Sequence, residues 1–204
     1  MSPFAQDILR TTGEHIVIVA AAVLAAIAIG IPLGIYCTRH ERAGRVALRI
    51  TDAIQTIPSL ALFGFLIPVP LIGGIGMRTA IVALILYSLL PIVRNTFTGI
   101  RGVDPVVREA GIALGLTPRQ LLTNVELPLA IPTIVAGIRI ATVIGIGVAT
   151  IAAAVGGGGL GTFIFRGVAM VDTRLILAGA LPAAALALLA DLVLSAVERK
   201  LVRA

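Results

Sequence analysis

Five long apolar stretches, near residues 15–37, 46–70, 79–93, 129–155 and 174–197, alternate with polar segments along the chain. A helix needs about 20 mostly apolar residues to cross roughly 30 Å of hydrocarbon. The stretches are of that order, although the third is short and the second and fourth carry polar residues. The pattern predicts an all-α polytopic membrane protein of about five transmembrane helices, with residues 1–204 forming a single membrane domain. Composition points the same way. Hydrophobic residues make up 58% of the chain and charged ones 13%, with a mean hydropathy of +1.09, far more apolar than an ordinary soluble domain.

The polar interruption at 94–128 carries the punctuation of two short helices. Asp104 is a good N-cap and Pro105 a good first helical residue, since the N–H that proline lacks would be unpaired there. Gly115 is suited to the left-handed conformation that ends a helix. Thr117-Pro118 repeats the cap-plus-proline signal for a second helix through Arg119, Gln120, Leu121 and Leu122, and Leu127-Pro128 is expected to turn the chain back into the membrane. Val106, Val107, Ile112, Leu114, Leu116, Leu121 and Leu122 are apolar residues that a merely solvated connector would not need. They ask for a partner surface or a bed of lipid headgroups.

Orientation follows from the cations, because short loops rich in Lys and Arg stay on the cytoplasmic side. Arg39, Arg42, Arg45 and Arg49 follow the first stretch. Arg94, Arg101, Arg108 and Arg119 follow the third, and Arg199, Lys200 and Arg203 follow the fifth, leaving Arg10, Arg78, Arg166 and Arg174 for the other side. The expectation is N-out and C-in, with 94–128 cytoplasmic and a glycine-rich segment at about 155–173 outside. The net charge of +6 is accounted for by this bias and by anionic lipid, so it implies no nucleic acid. With a basic cluster after it and none before it, the first stretch reads as a retained helix and not a cleaved signal peptide.

Candidate chemistry is sparse. A single cysteine, Cys37, excludes an internal disulfide and a multi-cysteine metal site, and His15 and His40 fall at membrane interfaces far apart. No phosphate-binding loop of the G-x-x-x-x-G-K-[ST] type occurs. No catalytic residue, metal or cofactor is expected, so energy for any transport must come from a gradient or another subunit. Each apolar stretch contains a proline, at Pro32, Pro58, Pro91, Pro132 and Pro182. Proline bends a helix and frees a carbonyl that protein or water must then satisfy. That suits a moving pathway, although proline is in any case commoner in membrane helices than in soluble ones. Gln55, Thr56 and Ser59 cluster beside Pro58, with Gln55 and Ser59 on one face at helical spacing. Either this face lines a path at a subunit interface or it makes interhelical hydrogen bonds. Arg139 is a cation well inside a stretch, with Asp52 and Asp191 as candidate partners. A structural ion pair is the first reading and a functional gate the second.

The run Glu109-Ala110-Gly111, then Gly115, then Val125-x-Leu127-Pro128 resembles the EAA loop of permease subunits of binding-protein-dependent ABC importers, the MetI-like family. Gly111 stands where that family usually has Ala, at a cost of about 1 kcal/mol to the helix, and Val125 where it has Ile. The resemblance implies that Glu109, Ala110, Gly111, Gly115, Leu127 and Pro128 belong to a coupling loop that docks on a cytoplasmic ATPase. Further stretches extend the likeness over almost the whole chain: Ile54-Gln55-Thr56-Ile57-Pro58-Ser59-Leu60, Arg94-Asn95-Thr96-Phe97-Thr98-Gly99-Ile100, Ala136-Gly137-Ile138-Arg139, and Gly156 to Gly161 with Phe163-Ile164-Phe165-Arg166-Gly167. These are similar to the osmoprotectant branch, which imports glycine betaine, choline, carnitine and related quaternary ammonium compounds.

The resemblance implies a non-catalytic permease of a bacterial inner membrane, multi-pass, paired with a second copy or a sister permease. Cytoplasmic ATPase subunits and an extracytoplasmic solute-binding protein would complete it, with membrane lipid around it. Gln55, Thr56, Ser59 and Arg139 are then candidates for the translocation path. The glycines at 156–159 and 161 free the backbone to turn back at the outer face, with Phe163 and Phe165 as anchors, so Gly157, Gly158, Gly159 and Phe163 are candidates for docking the binding protein. Tight capture of a trimethylammonium group uses an aromatic cage, and the chain has no Trp, two Tyr and six Phe. High-affinity recognition is therefore expected in a separate binding protein. A methionine-type importer, and a self-sufficient channel or gradient-driven carrier, are the alternatives. A membrane enzyme has no clustered nucleophile or acid pair to support it.

Overall fold

The computed structural model describes residues 2–203, and among them every regular element is helical. In chain order the helices are α1 (Pro3–Arg39), α2 (Glu41–Thr56), α3 (Ser59–Leu66), α4 (Met77–Arg101), α5 (Pro105–Ala113), α6 (Pro118–Leu121), α7 (Leu127–Ile151), α8 (Gly161–Met170) and α9 (Thr173–Arg203). Four continuous runs are long and apolar enough to cross a membrane: Pro3–Arg39, Met77–Arg101, Pro118–Val155 and Thr173–Val202. A fifth crossing exists only if α2 and α3 are taken together, and they meet at 103°. Pro58 causes that break. It has no N–H to give Ile54, and the residue before a proline avoids the helical region. Ile57 accordingly turns extended, at φ −72° and ψ 125°.

The other four prolines, Pro32, Pro91, Pro132 and Pro182, lie inside unbroken helices. Pro128 gives a third outcome. The expected turn at Leu127-Pro128 does not form; Leu122–Glu126 make a π-turn that runs straight into α7. A proline ring crowds the carbonyl four residues back, and widening the preceding turn to i→i+5 spacing relieves it without ending the helix.

Helix α4 is the centre of the bundle, packed between α1 and α7, with 56% of its most apolar window buried against 11% for α9 at the periphery. Close approach is made possible by missing side chains. A Cβ on Gly34 would sit 2.6 Å from Thr96 Cβ, and one on Gly137 would sit 2.7 Å from the Pro91 carbonyl oxygen. Small residues let membrane helices gain packing where lipid offers no hydrophobic drive. The main core gathers Ile18, Ala22, Phe63, Leu84 and Ala149 from α1, α3, α4 and α7. Segment 94–128 and the glycine-rich segment lie at opposite ends of α7.

Candidate functional site

The punctuation of 102–121 appears as local geometry. The Asp104 carboxylate accepts from the Val106 N–H at 2.8 Å and starts α5. Gly115 ends it at φ +81°, where the Leu116 N–H returns to the Gly111 carbonyl at 3.1 Å. Thr117 and Gln120 then form a reciprocal capping box at the head of α6, satisfying two N–H groups that a helix start leaves open. Gly111 is buried, and a Cβ there would fall 2.8 Å from Leu121 Cδ1. The glycine that replaces the family's alanine is therefore where α5 rests on α6.

Glu109, Ala110, Gly115 and Pro128 are exposed, and Leu127 is half-buried. Leu121 turns inward, whereas Val106 is 70% exposed, Ile112 58% and Leu114 83%, with Val107 beside them. So α5 presents a mostly apolar outer surface with one carboxylate, Glu109, on it.

Beneath that surface lies a residue that the sequence motifs do not single out. Glu126 is fully buried and meets Arg39, the last residue of α1, and Arg108 of α5. Its local signal is an acid set between the apolar Val125 and Leu127.

Gln55, Thr56 and Ser59 line one cavity of about 280 Å³, together with Ile57, Pro58, Tyr87, Ile144 and Val148. Gln55 and Ser59 do not share a helix face, because the chain breaks between them; the bend brings them to the same space. Gln55 also makes an interhelical bond, its Nε2 donating to the Tyr87 carbonyl at 3.0 Å. That carbonyl is the one whose helical partner would be residue 91, a proline. In return the Tyr87 hydroxyl donates to the Ile57 carbonyl at the break.

Arg139 is absent from this cavity. Its guanidinium lies against α9, 3.7 Å from Asp191 and 3.5 Å from Glu198. Asp52 is not its partner, being held by Arg94 at 2.7 Å. Glu198, missed in the sequence, stands seven residues from Asp191, two turns along the same face.

At the other end of α7, a 3-10 turn at Ala152–Val155 leads into Gly156, Gly158 and Gly159, all with positive φ. Gly157, Gly159 and Phe163 are buried and Gly158 is partly so. Gly159 closes against His15, and its N–H reaches Glu14 at 3.4 Å. Phe163 meets Phe4 edge to face at 5.9 Å. His15 is fully buried, its Nε2 donating to the Ile146 carbonyl at 3.1 Å. These residues knit the start of α1 to the end of α7, while Phe165 stays exposed.

Known proteins share both the sequence pattern and the fold. Residues 30–203 match the family described as binding-protein-dependent transport system inner membrane component. The chain is 46% identical over 195 residues to the choline transport system permease protein OpuBB of Bacillus subtilis, covering 96% of this chain and 88% of that one. It is 50% identical over 189 residues to the carnitine transport permease protein OpuCD of Listeria monocytogenes, covering 92% and 83%. Its fold is similar to a chain of the MetNI methionine ABC transporter in inward-facing conformations, with a TM-score of 0.88 at 25% identity over 98% of this chain and 99% of that one. The chain belongs to the family of binding-protein-dependent transport system inner membrane components and is a multi-pass inner-membrane permease.

Proposed function

We propose that the chain is the translocation subunit of an ATP-driven importer for quaternary ammonium osmoprotectants such as glycine betaine, choline or carnitine. The observation that carries the reading is the split in similarity: 46% and 50% identity to choline and carnitine permeases, against 25% to the methionine transporter chain whose fold it matches. A methionine-type importer is the second reading, favoured by the fold alone.

In the proposed arrangement the N-terminus is outside and segment 94–128 is cytoplasmic. The outer surface of α5, with Val106, Val107, Ile112, Leu114 and Glu109, docks on an ATPase subunit, which supplies the hydrolysis. A second permease, a copy or a sister chain, faces the cavity of Gln55, Thr56 and Ser59, so that the path forms between two bundles. Closure of the ATPases on ATP would draw the two α5 helices together and open the path outward. A binding protein delivers solute near the glycine-rich segment, where Gly157, Gly158, Gly159 and Phe163 set the backbone shape. Arg139 then acts as a strut to α9 and not as a gate.

Purification of the tagged chain from its native membrane in mild detergent, with mass spectrometry of what accompanies it, tests the assembly. An ATPase bound to wild type and lost in Glu109→Lys and Gly115→Asp is the expected result. Uptake of labelled choline, glycine betaine, carnitine and methionine by proteoliposomes holding the recovered complex tests the substrate. ATP-dependent uptake of methionine alone would defeat the osmoprotectant reading.

A further inference from the structure

Among the described residues no carboxylate other than Glu126 is buried. Taking an acid out of water costs several kcal/mol unless partners repay it, and here two guanidinium groups do. Arg39 closes α1 and contacts Oε2; Arg108 of α5 places Nε 2.9 Å from Oε1 and donates from Nη2 to the Ile100 carbonyl at 3.0 Å, in the last turn of α4. One carboxylate therefore joins the ends of α1 and α4, the middle of α5 and the foot of α7.

The π-turn makes this possible. An extra residue in a turn rotates the residues beyond it by about 100° relative to a regular helix. Glu126, the last residue of that turn, faces inward while Thr123 and Asn124 stay exposed. Helix α5 has little else to hold it: Gly111 is its buried residue, Val106 and Ile112 are exposed, and Val107 only borders a cavity beside Gly99 and Leu129. The Arg108 Nε and Glu126 Oε1 atoms are close without the alignment of a hydrogen bond, so the joint holds by charge and tolerates rotation. A cavity of about 230 Å³, lined by Thr38, Arg39, Ile100, Arg101, Arg108 and Glu126, leaves room for that rotation.

We propose that Glu126 is a positioning residue for coupling: as the shared anion of Arg39 and Arg108, it passes displacement of α5 to α1, α4 and α7. The proposal rests on the ATP-driven importer function proposed above.

The test uses the complete complex of permease, ATPase and binding protein in proteoliposomes. ATP hydrolysis and uptake of radiolabelled choline or glycine betaine are measured together for wild type, Glu126→Asp, Glu126→Gln, Arg108→Gln and the double variant Glu126→Gln with Arg108→Gln. Assembly and hydrolysis close to wild type are expected in all. Solute moved per ATP falls about tenfold in each neutral single variant and no further in the double, because the contact that Arg108→Gln removes is already lost in Glu126→Gln. Glu126→Asp, which keeps the charge, recovers part of the ratio. Arg108 is partly exposed, so Arg108→Gln decides the matter if Glu126→Gln fails to assemble. A wild-type ratio in the single variants, effects that multiply in the double, or uptake and hydrolysis falling in parallel would overturn the proposal. A wild-type complex with neither a bound ATPase nor ATP-dependent uptake would overturn the proposed importer function itself.

Discussion

Tyr87 and Gln55 show how a membrane interior handles proline. Pro91 leaves the Tyr87 carbonyl without its helical N–H, and Gln55 fills the gap. The break at Pro58 opens the Ile57 carbonyl, and the Tyr87 hydroxyl fills that one. Each of two helices thus repairs a defect in the other, as a membrane interior demands of protein groups where lipid offers no hydrogen bonds. Tyr87→Phe keeps the ring in its buried place and removes one donor. It should lower stability by about 1–2 kcal/mol, read as a lower melting temperature of the purified protein in detergent, with Leu90→Met as a packing control. Unchanged melting would mean that the Ile57 carbonyl finds another donor. The polar cluster around Gln55 was legible from the residues, but its division of labour was not. A sequence cannot say which carbonyl a glutamine reaches when the acceptor lies on another helix.

At the scale of elements, the short helices of segment 94–128 were legible because their signals are local. Asp104-Pro105, Gly115 and Thr117-Pro118 each act within a turn, so caps and boundaries emerge near where the residues demand. The π-turn was not legible, since Pro128 is compatible with either a turn or a widened helix, and packing of Glu126 against Arg39 and Arg108 favours the second. The exposed apolar residues of α5 mark the surface that the proposed function assigns to the ATPase. Ile112→Asp combined with Leu114→Asp should reduce co-purification of the ATPase by about tenfold or more, as loss of apolar anchors does at protein interfaces. The melting temperature of the permease should hardly move, because both side chains are already in the open. Retention of the ATPase at wild-type levels would remove α5 from the docking surface.

For the whole molecule, the arrangement separates a cavity of mixed lining, with Gln55, Thr56 and Ser59, at the break between α2 and α3 from the apolar groove that α1, α7 and α9 line. That groove, about 530 Å³ in volume, includes Ile16, Leu24, Leu189 and Val193, a lining that suits hydrocarbon and not water. Cysteine at Ser59 should react with a water-soluble thiol reagent during turnover, whereas cysteine at Leu189 should not. Native Cys37 is fully buried and provides a quiet background. Equal labelling at both positions, or protection of Ser59→Cys throughout the cycle, would mean that the cavity is not part of an aqueous path.

The amino-acid sequence by itself determined the class of the protein, the number of apolar stretches, the caps of α5 and α6 and the family. Hydropathy, capping and turn chemistry act over a few residues and survive any tertiary arrangement. Only the tertiary structure decided that the second stretch is two helices at 103°, that Arg139 pairs with Asp191 and Glu198 while Asp52 pairs with Arg94, and that Glu126 is the buried hub of the loop end. These outcomes depend on which of several possible partners a charge or an open carbonyl meets across helices, and in a low-dielectric interior that meeting, more than residue type, sets the energy.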